Sequence, residues 1–200
     1  MKSLSYRHTA YPSAWLAGAT GFLYSATFVF APRPAPAFAA ALTGSFLLLG
    51  GVFSASALLG LYERLVPTAG GYATWALVFG LAAALSATLH GGYDLANAIN
   101  PPSQTTDLPS AVDPRGLGTF GLAGVSIVAF AYLMGREASF PLNLSYLGFI
   151  SGALLIVIYL ARLIILNVSN PLVLATLAFE GFVINPVWYV WLGLALRRDH

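Results

Sequence analysis

Long apolar runs separated by short polar connections dominate this chain. Segments near 14–31, 37–61, 72–98, 116–134, 144–168 and 171–196 each approach the roughly 20 apolar residues a helix needs to cross the hydrocarbon core of a bilayer. The links between them carry turn chemistry: Pro32-Arg33-Pro34 after the first run, Thr68-Ala69-Gly70-Gly71 after the second, and Ser169-Asn170-Pro171 before the last. The pattern predicts an all-α polytopic bundle of six transmembrane helices in one domain. The connection near 97–115 differs, with Asn100-Pro101-Pro102, Asp107, Asp113 and Pro114. It is too polar for lipid and reads as a solvated outer loop, with a lid over the helix ends as the alternative.

Within the apolar runs His90, Asp94, Arg162 and Glu180 stand out. A charge inside a span costs about 2.5–3.5 kcal/mol on insertion scales, so such residues normally face a protein interior or a wet cavity. At a helical rise of about 1.5 Å per residue, Glu180 and His90 lie roughly 12–13 Å inside the outer ends of their spans, Arg162 about 9 Å and Asp94 about 6 Å. Ser86, His90 and Asp94 recur at i, i+4 and i+8, with Asn97 one turn further on nearly the same face. Tyr159 and Arg162 are i, i+3 neighbours, and the short turn before Pro171 makes the last two spans antiparallel neighbours, so Arg162 is expected to pair with Glu180 or Asp94. Asn185-Pro186 interrupts the sixth span, where an internal proline frees a carbonyl and bends the helix. The candidate ligand-binding cluster is therefore His90, Asp94, Asn97, Tyr159, Arg162, Glu180 and Asn185. A charge pair that only fixes helix register is the competing reading.

Composition agrees with the pattern. Hydrophobic residues make up 58% of the chain and charged residues 8%, with mean hydropathy +0.78, against about 25% charge in soluble domains. The basic balance, with pI ≈ 9.0, reflects cytoplasmic arginines rather than nucleic acid. Placing the N-terminus inside leaves Lys2, Arg7, Arg64, Arg136, Arg197 and Arg198 on the cytoplasmic side against Arg33 and Arg115 outside, so both termini are expected to be cytoplasmic. Trp15, Trp75, Trp188 and Trp191 fall toward that same face, as an aromatic belt would. The basic start and apolar run before Ala35-Pro36-Ala37-Phe38-Ala39 raise a cleaved signal peptide, but the run is long and cleavage would leave five spans. Abundant Arg, Ala and Gly suggest a bacterial gene, hence the inner membrane.

Several chemistries are excluded or disfavoured. The absence of cysteine removes disulfides, thiolate metal sites and thiol catalysis. Ser86, His90 and Asp94 have the residue types of a hydrolytic triad, yet the backbone N–H groups of a continuous helix are already bonded and cannot form an oxyanion hole. A metal held by His90, Asp94 and Glu180 would be repelled by Arg162 at the same depth. The sole lysine, Lys2, precedes the first span, which excludes a retinal linkage, and a haem between two histidines lacks its second ligand. One pigment or haem held by His90 alone stays open, so the cofactor is left unassigned, and an enzyme is the less favoured class.

Gly44, Gly50 and Gly51 in the second span and Gly118, Gly121 and Gly124 in the fourth permit close helix approach. The recurrence of Ile99-Asn100-Pro101 as Ile184-Asn185-Pro186 is too short to establish an inverted repeat. The segments His90-Gly91-Gly92-Tyr93-Asp94-Leu95-Ala96-Asn97, Asp113-Pro114-Arg115-Gly116-Leu117 and Tyr159-Leu160-Ala161-Arg162-Leu163 resemble parts of uncharacterised six-span bacterial membrane proteins. That resemblance implies that the polar segments belong together and carries over no functional residue. Two functions stay open. One is a module with an outward-facing polar pocket that binds or transports a small molecule, lipid or ion. The other is an accessory subunit of a larger membrane complex, meeting membrane-protein partners through the glycine-rich faces of the second and fourth spans. Besides the lipid bilayer, neither reading requires a nucleic-acid partner.

Overall fold

A computed structural model of the chain describes residues 6–32, 35–101, 114–165 and 170–197. Five long helices account for most of them. Helix α1 is Arg7–Phe30 and stops before Pro32, which cannot continue it. Helix α2 is Ala37–Ile99, a single assignment bent at Ala69 (φ −155°, ψ 63°) just after Pro67. Helix α3 is Leu117–Met134, preceded by the short helical segment Pro114–Gly116. Helix α4 is Leu142–Ile165 and α5 is Pro171–Arg197. The start of α5 combines proline at the first helical position with an Asn170 side chain that accepts the Leu172 N–H at 3.0 Å.

Helices α2 to α5 are each long and apolar enough to cross a membrane, whereas α1 is not counted among them. The second and third expected spans are the two limbs of α2, residues 37–68 and 70–99. These limbs fold back on each other, with Gly44 against Gly91 and Leu95, Gly51 against Ala84 and Thr88, and Leu58 against Gly80. The expected turn at Thr68 to Gly71 is thus a tight bend rather than a loop. Most of the expected outer loop, residues 102–113, lies outside the described residues, and the lid alternative with it.

The limbs close into a ring. Helix α1 lies between the first limb of α2 and α5, while the second limb packs on α3, α3 on α4, and α4 on α5. Small residues set the approach throughout. A β-carbon on Gly44 would lie 2.8 Å from the Gly91 carbonyl oxygen, and one on Gly124 would lie 2.6 Å from that of Gly152. The glycines of the second and fourth expected spans therefore face neighbours inside the chain: Gly50 meets Thr20, Gly118 meets Ser86, and Gly121 meets Tyr159. Large apolar side chains point outward instead, among them Phe30, Phe38, Leu89, Ile164 and Leu172. Hydroxyls in the helices bond back to carbonyls one turn earlier, as Thr20 does to Leu16 at 2.7 Å and Thr88 to Ala84 at 2.9 Å.

One end of the ring is clasped by Arg64. Its guanidinium donates to the Ala195 carbonyl at 2.9 Å, near the end of α5, and lies 4.7 Å from the centre of the Phe140 ring. Beside it Glu137, in the α3–α4 connection, accepts from the Thr68 hydroxyl at the bend of α2. Arg136 and Arg197 occupy the same end, stacked on Tyr132 and Trp15. The tryptophans do not form one belt. Trp75 is exposed beside Tyr72, but Trp188 is fully buried against Gly148 because glycine there leaves room for an indole.

Replacing Gly44 or Gly91 by leucine is expected to destabilise the protein by at least about 1–3 kcal/mol through overpacking. Gly71→Ala, with no atom within 4 Å of the added carbon, is expected to leave the detergent melting temperature unchanged or slightly raised. The Thr68 hydroxyl foremost, with Ser139 and Arg64 in the same sense, holds the Glu137 carboxyl below its ordinary value of 4.5. The stability it contributes is therefore complete above that value and lost as pH falls through the lower folded one. A melting series from neutral to acid pH should show that loss in the native protein and a shallower one in Glu137→Gln.

Candidate functional site

The polar residues read from the sequence fall into two groups. At the end opposite Arg64, the stripe on the second limb of α2 faces the start of α3. Ser86 meets Gly118, His90 Nδ1 lies 3.3 Å from the Thr119 hydroxyl, and Asp94 Oδ1 lies 3.6 Å from the Arg115 guanidinium. His90 Nε2 is 3.5 Å from Asp94 Oδ2, and Arg115 stacks over Tyr93 at 4.3 Å. His90 is buried, whereas the Asp94 side chain is 38% exposed. Asp94 and Asn97 open onto a groove of about 440 Å³ shared with Thr27, Thr43 and Pro101.

The second group surrounds Glu180, which is 3% exposed. Its Oε1 accepts from the Ser151 hydroxyl of α4 at 2.6 Å, and the Asn185 side chain approaches the same carboxyl more loosely. Oε2 is buried and makes no hydrogen bond among the described residues. Two absent side chains create the space here, since Gly21 admits Asn185 and Gly181 admits Ser25. Glu180 borders a cavity of about 130 Å³ to which all six limbs contribute, lined by small and aromatic residues such as Gly50, Ala84, Phe120 and Tyr189. The expected outward-facing pocket is thus central. Thr119, the partner of His90, lines this same cavity.

Both polar walls of the cavity are built on widened turns. Leu117–Leu122 and Glu180–Ile184 are π-helical, a geometry frequent at functional sites. In α5 the Asn185 N–H reaches back to the Glu180 carbonyl, and the following Pro186 has no N–H to offer the normal ladder. Thr119 and Phe120 on one widened turn and Glu180 and Gly181 on the other all border the cavity.

Arg162 does not pair with Glu180 or Asp94. The guanidinium at Asp94 belongs to Arg115, and Arg162 makes no ion pair among the described residues. Arg162 and Ser151 lie on nearly the same face of α4, but about 16 Å apart along the axis at about 1.5 Å per residue. Since Ser151 is level with Glu180, Arg162 lies well beyond it. Counting depth from a shared turn assumes level helix ends and misses this axial offset. The Tyr159 ring packs over Gly121, where an added β-carbon would lie 3.4 Å from it, and Tyr159 does not border the Glu180 cavity. Among the described residues no three histidine, aspartate or glutamate side chains gather to hold a metal ion. Ser151, Thr119 and Arg115 are the site residues that sequence reasoning missed. The first two are ordinary hydroxyls in apolar runs, and Arg115 looked like a loop charge.

The described residues form an all-helical fold with four membrane-length apolar helices and a cavity bordered by a buried carboxyl. No family model, curated protein or solved structure matches the chain.

Glu180 and Ser151 are expected to be coupled by about 0.5–3 kcal/mol in a double-mutant cycle of Glu180→Gln and Ser151→Ala melting. The Glu180–Arg162 cycle should be additive within about 0.5 kcal/mol. Coupling confined to Arg162 would contradict the assigned geometry.

Proposed function

We propose that the chain is a six-span integral membrane protein that binds or carries a small ligand or ion at Glu180. Helix α1 and the two limbs of α2 supply the spans beyond the four long apolar helices. Both termini lie on the cytoplasmic side, together with Arg64, Arg136 and Arg197, as the distribution of positive charge favours. A bacterial inner membrane is the setting that composition suggests.

The observation that carries this reading is the unpartnered Glu180 Oε2, buried against a cavity between two widened turns. No cationic side chain of the described residues stands beside it. A buried carboxyl in that position either keeps its proton or meets a donor or positive charge from something other than this chain. The volume admits a group about the size of benzene or a few waters. Its apolar, aromatic walls suit a compact ligand with one polar point.

The alternative, a non-catalytic subunit of a membrane complex, draws on Arg162. It is half-buried near the far end of α4, among the exposed Leu160, Leu163 and Ile164. There it suits a lipid headgroup or an acidic partner helix.

Native mass spectrometry of gently extracted protein, with release and identification of bound species, separates the two. A stoichiometric small molecule or ion retained by the native chain and lost from Glu180→Ala is the expected result. Its retention by that variant would overturn the site. Stoichiometric polypeptides without a small ligand would favour the subunit.

A further inference from the structure

His90 is a buried imidazole whose two nitrogens face different compartments. On one side Nε2 lies 3.5 Å from Asp94, whose carboxyl borders the outer-end groove. On the other, Nδ1 lies 3.3 Å from the Thr119 hydroxyl, which borders the central cavity. Across that cavity stands Glu180, with Oε2 free of hydrogen bonds among the described residues. Groove and cavity are separate spaces, and this imidazole with its hydroxyl partner joins them.

We propose that His90 passes protons between the outer-end groove and the cavity, so that Glu180 exchanges its proton with that side of the membrane. This rests on the reading of the cavity as the working site and names the proton as one species it handles. In the inward direction, hydronium in the groove protonates the Asp94 carboxylate, which passes that proton to Nε2 as Nδ1–H gives its own to the Thr119 oxygen. The Thr119 hydroxyl proton passes on to cavity water and then to Glu180. One proton enters and one leaves at each stage, no electron moves, and tautomer exchange of the ring restores the start. Both contacts of the imidazole are long for a direct hydrogen bond and fit transfer through one intervening water as well. An imidazole with a distinct partner at each nitrogen is the side chain suited to such a relay.

The charged and titratable groups around the route are few among the described residues. Asp94, from its own limb, and Arg115, just before α3, face the groove side of His90, with Tyr93 stacked under Arg115. Around Glu180 stand the hydroxyls of Ser151 from α4, Ser25 from α1 and Ser54 from the first limb of α2, together with Tyr24 and Tyr189. Arg115 keeps Asp94 matched with a positive charge. A hydrophobic wall of Phe46, Ala87 and Phe120 lines the cavity beside Thr119, so the hydroxyl is the polar crossing there.

The test follows the carboxylic-acid infrared band of Glu180, assigned by its disappearance in Glu180→Gln, in ligand-free protein transferred from H2O to D2O. Deuteration of that band should slow by roughly a hundredfold in Thr119→Val and in His90→Phe, as expected when a positioned proton carrier is removed. Arg162→Gln, remote from both compartments, should exchange as the native protein does. Thr119→Val preserves shape and carries the test if the histidine variant fails to fold. Exchange at the native rate in Thr119→Val overturns the relay, as does the absence of any acid band from Glu180 at every pH where the protein stays folded. A bound ligand lost from Glu180→Ala together with unchanged exchange in Thr119→Val would leave the binding site standing and remove the route. Slowed exchange without any bound ligand would do the reverse.

Discussion

Backbone approach at small residues is the constraint on which this structure depends. Where the surroundings are as apolar as leucine, helices gain little by hiding apolar surface from one another and associate through close contact instead. Gly44 against Gly91, Gly51 against Ala84 and Gly124 against Gly152 bring helix axes near enough for carbonyls to touch neighbouring Cα positions. Many bulky side chains, such as Phe30, Phe38 and Ile164, are left for the outside, while Trp188 and Phe130 fill the interior where small neighbours leave room. Six limbs approached in this way form a ring around a gap lined by small residues together with Phe46, Phe120 and Tyr189.

Polar chemistry is then confined to that gap and to one end. Asp94 has Arg115 to balance it, whereas Glu180 has only neutral partners, Ser151 and Asn185. The asymmetry separates their roles. Replacing Arg115 would expose an imbalance at a half-open surface, while Glu180 sits where imbalance cannot be relieved by bulk water. Helix widening at 117–122 and 180–184 lets both walls of the gap present polar atoms without breaking either helix.

The apolar pattern made the helices and most of their ends legible, and the i, i+4, i+8 spacing of Ser86, His90 and Asp94 correctly marked a single face. It also picked out Glu180, because a carboxyl in an apolar run is conspicuous at any depth. What could not be read was relative height. Arg162 and Glu180 look level when counted from Pro171, yet α4 and α5 are offset along their axes, and an offset leaves no trace in either helix alone. Ser151 and Thr119 carried no signal, since hydroxyls in such helices normally bond to their own backbone, as Thr20 and Thr88 do. Arg115 was hidden differently: its sequence neighbours are loop-like, and only folding brings it over Tyr93 to Asp94.

The reversal of α2 at Ala69 also bears on how the protein is made. A rod of 63 residues is about 95 Å long at about 1.5 Å per residue, several times the thickness of a bilayer core. Folded back, it becomes two rods joined at their tips, whose contacts fall within one uninterrupted stretch of chain. That interface needs no residue of α3 to form, and both ends of the stretch lie at the same end of the hairpin. The hairpin is thereby a self-contained unit of biogenesis, a seed against which α1 on one flank and α3 on the other can be laid down.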